Sequence, residues 1–308
     1  MRSEFYFDSH GAGRIHCCRW MPEKEPKAVV QLVHGIAEFI LRYDGFADYL
    51  ASQGFLVVGE DHMGHGKSAE EGSVKGYFHG GWFTAVEDTY ELMRRTMAEF
   101  PGVPYVLFGH SMGSFMARTI LAKYPDSGIS AAVICGTGWQ PKLALPALVK
   151  MVEAVCKVTG EQKPSQLLQS MAFGGYNKRI EHPRTSCDWL TRDSKIVDEA
   201  EAYTLGVFTP SSGLMRDMMK GIHYIEQTEN LNRMKKDLPV LFIAGGDDPV
   251  GNYGKGVHQA AEAFRKAGME RVSEKIYPLC RHEILNEINK TEIFEDVAQF
   301  IKQSALKD

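Results

Sequence analysis

The sequence predicts an α/β fold built on a mostly parallel sheet with helices on both faces. Short segments of Val, Ile, Leu and Ala alternate along the chain with longer segments whose apolar residues recur at helical spacing. Strands that are apolar at every position are typical of parallel sheets buried on both faces. The alternation stops between residues 139 and 238 and then resumes. We therefore predict one eight-stranded core, residues 1–138 and 239–308, with a helical insertion at 139–238.

The individual elements follow from local composition. The chain opens with two short strands around the turn at His10–Gly13, which predicts an antiparallel hairpin ahead of the parallel strands. Pro125 ends the helix that follows Ser111. The predicted strands are 5–7, 15–20, 28–33, 55–59, 103–108, 130–135, 239–244 and 272–277. Of the predicted helices, one ends near residue 52 and another near residue 124. The other three cover residues 82–99, 254–268 and 292–303.

Composition and charge exclude several classes of protein. The formal net charge is −4, whereas a nucleic-acid-binding protein would normally have a basic face. The six cysteines are scattered and form no C-x-x-C pair, which favours reduced thiols over a disulfide framework. The first residues lack the apolar core of a signal peptide, and no apolar run is long enough to span a membrane. We expect a cytoplasmic protein without an integral membrane segment; no feature of the sequence predicts an oligomeric state.

The segment between the fifth strand and the next helix reads Gly109-His110-Ser111-Met112-Gly113. This is a G-x-S-x-G motif in the strand–turn–helix context of a nucleophile elbow. The flanking glycines permit a sharp turn that raises the serine hydroxyl above the sheet. An ordinary strand-to-helix turn is the alternative, so Ser111 qualifies as a nucleophile only if a base and an acid accompany it.

A serine hydroxyl requires a general base within hydrogen-bond reach, and reactive groups in such sheets collect at the carboxyl ends of the strands. The expected chain order is Ser, acid, His. The histidines after Ser111 are His182, His223, His258 and His282. The first two lie in the insertion and the third lies in a helix, so only His282 follows a strand. We predict that His282 is the base, with a solvated loop histidine as the alternative.

The acid is expected after a strand as well. The loop after strand 130–135 contains no carboxylate, whereas the loop after strand 239–244 contains both Asp247 and Asp248. Position alone does not distinguish these neighbours. For the oxyanion of the tetrahedral intermediate, the expected donors are the backbone N–H of Met112, directly after the nucleophile, and that of Ile36 in the loop after the third strand.

Several segments together resemble the monoacylglycerol lipase and lysophospholipase branch of the α/β-hydrolases, also called serine aminopeptidases. The resemblance covers nearly the whole chain and is weakest in the insertion. The segments that carry it are Gly109–Gly113, His34–Glu38 with Arg42-Tyr43, Asp61–Ser68, Gly246–Val250 and Arg281–Glu283.

This resemblance implies an α/β-hydrolase fold with a cap formed by the insertion. It implies that Asp248, which precedes Pro-Val, is the acid, and it assigns the oxyanion hole to Ile36 and Met112. The chain departs from the family in two places: Phe39 stands where histidine is frequent, and Ser114 stands where a second glycine is frequent. We expect Phe39 to alter the mouth of the substrate pocket.

The insertion carries apolar residues at helical spacing, a pattern that usually means core packing. In a cap above a serine hydrolase site the same residues are candidates for an acyl tunnel, and we expect the cap to touch membrane surfaces transiently. The candidate pocket residues are Leu145, Leu148, Val149, Met215, Met218 and Met219, together with Phe39.

These features predict a serine hydrolase that cleaves carboxylic esters through an acyl-enzyme on Ser111. The resemblance implies a monoacylglycerol, lysophospholipid or related acyl ester as substrate. The alternatives are an aminopeptidase acting on small peptides and a ligand-binding protein on a hydrolase scaffold. His62 and His65, with Asp61 nearby, resemble part of a zinc site, but a well-placed third ligand is not identifiable and we expect loop structure there. The predicted mechanism needs no metal and no organic cofactor.

Overall fold

The computed structural model describes residues 1–140, 145–202 and 208–306. Within these residues eight strands form a single sheet. The strands are β1 (Arg2–Asp8), β2 (Arg14–Trp20), β3 (Ala28–Val33), β4 (Phe55–Glu60), β5 (Tyr105–His110), β6 (Ile129–Cys135), β7 (Val240–Gly245) and β8 (Val272–Tyr277).

The strand order across the sheet is β1-β2-β4-β3-β5-β6-β7-β8. The β1–β2 hairpin is antiparallel and pairs antiparallel with β4, while every pair from β4 to β8 is parallel. Because β3, β5, β6, β7 and β8 run in the same direction, the loops after them emerge at one edge of the sheet. The predicted α/β-hydrolase fold, with its eight-stranded and mostly parallel sheet, is confirmed.

The helices in the described part of the chain divide between the sheet and the insertion. Those of the core are α1 (Asp44–Ser52), α2 (Trp82–Glu99), α3 (Met112–Lys123), α9 (Lys255–Lys266) and α10 (Lys290–Ala305), and those of the insertion are α4 (Leu145–Thr159), α5 (Gln166–Phe173), α6 (Ser194–Ala202), α7 (Ser212–Ile225) and α8 (Thr228–Arg233). Apolar side chains of α1 and α10 pack on one face of the sheet, and those of α2, α3 and α9 pack on the other.

The helices of the insertion lie between β6 and β7 in the chain and attach to the core mainly through α7. Helix α7 packs against α2, α3 and α4. Gly221 of α7 makes the contact with α2 close, because a Cβ at this position would lie 2.1 Å from the ring of Trp82. None of the helices in the described ranges is long and apolar enough to cross a membrane.

Candidate active site

Ser111 occupies the single-residue turn between β5 and α3. Its backbone has φ 52° and ψ −122°, a combination rarely adopted by a residue with a side chain and typical of functional sites. The two flanking glycine positions leave no room for a side chain. A Cβ on Gly109 would lie 2.4 Å from the carbonyl oxygen of Gly113, and a Cβ on Gly113 would lie 2.0 Å from the carbonyl oxygen of Val33. The Ser111 N–H donates to the Cys135 carbonyl at 3.0 Å, which ties the turn to β6.

His282 lies in the loop after β8 and is almost fully buried. Its Nδ1 is 3.0 Å from Oδ2 of Asp248, which has no exposed surface. The other carboxylate oxygen of Asp248 accepts a hydrogen bond from the N–H of Val250 at 2.9 Å. A buried carboxylate in this position selects the tautomer with the proton on Nδ1, which leaves Nε2 to accept a proton.

The structure separates the two neighbouring aspartates that sequence position could not distinguish. Asp247 is exposed, and its N–H donates to the Cys280 carbonyl at 2.9 Å. Asp248 is the residue that reaches His282. The loop approaches the turn after β6 closely as well, since a Cβ on Gly251 would lie 3.1 Å from the Thr137 carbonyl oxygen.

The two predicted oxyanion donors, Ile36 and Met112, line the same cavity as Ser111. Met112 is the first residue of α3, where backbone N–H groups and the helix dipole favour negative charge. Gly35 lets the other loop come close, because a Cβ there would lie 2.9 Å from Cβ of Ser111. Ala37 has a positive φ of 56°, so the backbone next to Ile36 is held in an unfavourable conformation.

A buried network of charged groups lies next to these residues. The Glu38 carboxylate accepts hydrogen bonds from the N–H of Gly35, from the hydroxyl of Tyr43 at 3.0 Å and from Nδ1 of His110 at 3.1 Å. Nε2 of His110 lies 3.3 Å from the backbone carbonyl of His282. The network thereby connects the loop of Ile36, the elbow and the loop of His282.

Arg42 completes the network. Its guanidinium donates to Glu283 and lies 3.8 Å from Glu38. Burial opposes ionisation of Glu38, but the hydrogen bond and charge of His110, together with Arg42, outweigh it and lower the pKa of Glu38 to about 2. Burial likewise opposes charge on His110, and its bond to Glu38 nevertheless raises the pKa of His110. Both shifts favour an ionised pair.

Ser111 and His282 line one cavity of about 690 Å³ between the sheet and the insertion. Its core side carries the charged groups, and its opposite side is formed by apolar residues of α4 and α7 together with apolar and uncharged polar residues of α5. The charged and polar residues of the core side are Glu38, Arg42, His110 and Glu283. The apolar residues include Leu148, Met151, Val152, Phe173, Met215, Met218 and Met219.

Some of the candidate pocket residues line this cavity and others do not. Leu148, Met215, Met218 and Met219 line it, whereas Phe39, Leu145 and Val149 do not, so the prediction was wrong for these three. Leu145 is instead buried in the main hydrophobic core.

The local backbone explains why Val149 and Phe39 do not line the cavity. The arc of α4 that faces the cavity contains Leu148, Met151 and Val152, at spacings of three and four, and Val149 lies off this arc. Phe39 is buried in extended backbone, in which successive side chains point to opposite sides, and the preceding Glu38 is the one that faces the cavity.

Three aromatic residues of the insertion were missed by sequence reasoning. Trp189 lies beside His282 with ring centroids 5.0 Å apart, and Tyr176 and Phe173 pack on Trp189. Burial and the Asp248 carboxylate raise the pKa of Tyr176, which keeps its hydroxyl protonated. No periodicity marks these residues in the sequence, because they come from separate turns of the insertion.

Side chains of the histidine-rich segment after β4 form hydrogen bonds to neighbouring loops. The Asp61 carboxylate accepts from the N–H of Ile40 at 2.7 Å, and Nε2 of His62 lies 3.0 Å from the His34 carbonyl. Burial and the charge of His62 lower the pKa of His65 to about 3. In the described part of the chain, the group with metal-ligand spacing is Glu4, His16 and Cys18, where Nε2 of His16 is paired with Glu4 and its Nδ1 with Asp61.

Comparison with known proteins shows the family to which the chain is similar. Residues 24–289 match the family model described as Hydrolase_4, serine aminopeptidase, S33. The chain is 34% identical to a monoglyceride lipase of Mus musculus over 285 residues, which is 89% of this chain and 85% of that protein. It is 27% identical to a monoacylglycerol lipase of Mycolicibacterium smegmatis over 303 residues, 97% of each chain.

A solved structure gives the same result for the fold. The crystal structure of a thermostable carboxyl esterase from Bacillus coagulans, in complex with glycerol, superposes with a TM-score of 0.90 at 30% identity and covers 99% of both chains. The resemblance seen in the sequence motifs is therefore confirmed over most of the chain. The chain belongs to the Hydrolase_4 (serine aminopeptidase, S33) family of α/β-hydrolases, the family that includes the monoglyceride lipases.

Proposed function

We propose that this carboxylic-ester hydrolase cleaves monoacylglycerols or closely related single-chain acyl esters through an acyl-enzyme on Ser111. The observation that carries the proposal is the two-sided cavity around Ser111. Its charged core side suits a small polyol, and the apolar surface that α4 and α7 present to it suits one acyl chain. Relatives named as monoacylglycerol lipases, and an esterase crystallised with glycerol, support the same substrate class.

In the proposed mechanism His282 takes the proton of Ser111 as the hydroxyl oxygen attacks the ester carbonyl carbon. Asp248 holds His282 in the required tautomer and stabilises its charged form. The backbone N–H groups of Ile36 and Met112 receive the oxyanion, each contributing about 3 kcal/mol to transition-state stabilisation. The intermediate collapses, His282 protonates the departing alcohol oxygen, and a water molecule then releases the acid by the same steps.

The charges of the cavity also bear on the aminopeptidase alternative. An aminopeptidase needs an uncompensated carboxylate to hold the substrate's ammonium group. The carboxylates that line the cavity on its core side, Glu38 and Glu283, are both engaged with Arg42, and Glu38 is also engaged with His110. This pairing favours an ester with a neutral alcohol over a peptide with a charged amino terminus.

We further propose that the insertion touches membrane surfaces through α4 and α5. Val158, Leu167 and Met171 are 88%, 57% and 51% exposed, and Met171 also lines the cavity. An exposed apolar patch on a protein surface is a common mark of an interaction site. Cosedimentation with phosphatidylcholine vesicles tests this: we expect binding, and no bound protein at millimolar lipid would contradict it.

The test of the proposed function is hydrolysis of a substrate panel by the wild type and by Ser111→Ala. The panel contains monoacylglycerols of increasing chain length, lysophosphatidylcholine, p-nitrophenyl esters and amino-acid anilides. We expect monoacylglycerols to be preferred and Ser111→Ala to lose about 10⁶ in kcat. Turnover of esters by folded Ser111→Ala would refute the acyl-enzyme, and preference for the anilides would favour the peptidase.

A further inference from the structure

A short segment of the insertion, residues 188–192, lies directly against the loop that carries His282. The N–H of His282 donates to the Trp189 carbonyl at 3.3 Å, and the N–H of Glu283 donates to the Leu190 carbonyl at 2.6 Å. The backbone of the predicted base is therefore held by the insertion. We call residues 188–192 the Trp189 segment.

Side chains reinforce this contact from both directions. Nη1 of Arg281 donates to the carbonyl oxygens of Asp188 and Thr191, at 2.6 and 2.9 Å. In return, the Thr191 hydroxyl donates to the Asn286 carbonyl at 3.0 Å. The residue before His282 and a residue four positions after it are thereby bound to the same short segment.

At the centre of this contact is Glu287, a carboxylate with no exposed surface. One of its oxygens accepts from the backbone N–H of Arg281 at 2.8 Å and from that of Arg192 at 3.2 Å. The other accepts from Nε of the Arg192 side chain at 2.9 Å. Arg192 also donates through Nη2 to Oδ1 of Asn289 at 2.7 Å.

We propose that Arg192 and Glu287 are a positioning pair for His282. The pair fixes the Trp189 segment on one side and the backbone next to His282 on the other, so that the imidazole faces both Asp248 and the cavity. The same pair keeps the Trp189 ring beside the base, with centroids 5.0 Å apart. This inference rests on the proposed function, because it assigns the pair a role in the reaction that His282 performs.

The energetics of burial explain why one partner cannot be lost without consequence. Removing Arg192 leaves the charge of Glu287 buried with only backbone donors, a situation that strongly favours movement of the loop. A displacement of about 1 Å near the chemistry can cost roughly 10²-fold in rate. The exposed pair of Arg184 and Asp198, also within the insertion, joins side chains that are 53% and 58% exposed and does not touch the His282 loop.

The experiment compares Arg192→Met, Arg192→Lys and Arg184→Met with the wild type, using p-nitrophenyl butyrate as a small soluble ester. Arg192→Met is expected to lower kcat about 10²-fold with little change in KM, because the ester site is retained while the base is misplaced. Arg192→Lys keeps the charge and is expected to recover about tenfold of this loss. Arg184→Met is the matched control and should stay within about twofold of the wild type.

Two measurements distinguish a misplaced His282 from a folding defect. They are the thermal unfolding temperature and the fraction of Ser111 that a fluorophosphonate labels at completion. The assay temperature is set below the unfolding transition of every variant. Unchanged kcat in folded Arg192→Met, or an equal loss in Arg184→Met, would overturn the positioning role. If Arg192→Met does not fold, the same comparison is made on Arg192→Lys. A wild-type kcat in Arg192→Lys, together with lowered stability, would overturn the positioning role. A wild type that is neither labelled nor active would instead refute the proposed function.

Discussion

Replacing Asp248 by Asn tests the predicted acid in a way that the structure makes specific. One carboxylate oxygen accepts from the N–H of Val250 at 2.9 Å, and the other faces Nδ1 of His282 at 3.0 Å. An asparagine at this site has one acceptor and one donor group. Because the Val250 N–H requires the acceptor, the amide NH₂ must face His282. It then stabilises the tautomer whose proton is on Nε2, and that tautomer cannot take a proton from Ser111.

The expected loss of activity follows from this change of His282 tautomer. A wrong tautomer in an otherwise intact triad lowers kcat by about 10⁴, which corresponds to about 5 kcal/mol of transition-state stabilisation. KM for a small ester should change little. The fold should be retained, since Asn has nearly the same shape as Asp and keeps the bond to Val250.

The assay is continuous hydrolysis of p-nitrophenyl butyrate at pH 8, with unfolding temperatures measured in parallel. Asp247→Asn provides the matched control, because the Asp247 side chain is exposed and only its backbone N–H is bonded to the His282 loop, at the Cys280 carbonyl. This control should remain within about twofold of the wild type. Activity of Asp248→Asn within tenfold of the wild type, or an equal loss in Asp247→Asn, would refute the assignment.

Two further predictions concern stability and are measured by urea unfolding. The pKa of Glu38 is lowered to about 2, so its ionisation stabilises the fold above pH 4.5 and this contribution is lost as the pH falls towards 2. Glu38→Gln should therefore cost about 3 kcal/mol at pH 7 and about half as much at pH 3, and a cost independent of pH would contradict the assignment. Gly113→Ala should destabilise by about 2 kcal/mol or more, because its Cβ would lie 2.0 Å from the Val33 carbonyl oxygen. Gly45→Ala on α1, with nothing within 4 Å of the new Cβ, should be neutral or stabilising, and equal losses in the two variants would refute the steric argument.

Much of the core was predictable because its signals are local. The strand Ala28–Val33 is buried at every position and apolar at all of them except Gln31, and a segment of this kind is stable only when helices cover both faces of its sheet. The position of Ser111 follows equally from five consecutive residues and the elements on either side. His282 could be selected from four histidines because parallel strands bring their carboxyl ends to one edge.

The tertiary structure decided what depends on contacts between distant parts of the chain. It brought Asp248 rather than Asp247 to His282, a choice that position in the loop left open and that only the family resemblance implied, since adjacent residues in a loop point in different directions. It excluded Leu145 from the cavity, because a helical stripe does not specify whether a residue at its end faces a core or a pocket.

The insertion shows this difference most clearly. Trp189 and Arg192 have no periodicity or motif around them, and the residues that they contact, His282 and Glu287, lie about 90 residues further along the chain. The sequence by itself predicted the sheet and singled out Ser111 and His282 as the candidate nucleophile and base, because strand burial and turn geometry are properties of short segments. Which side chains of the insertion face His282 was decided only by packing across that long separation.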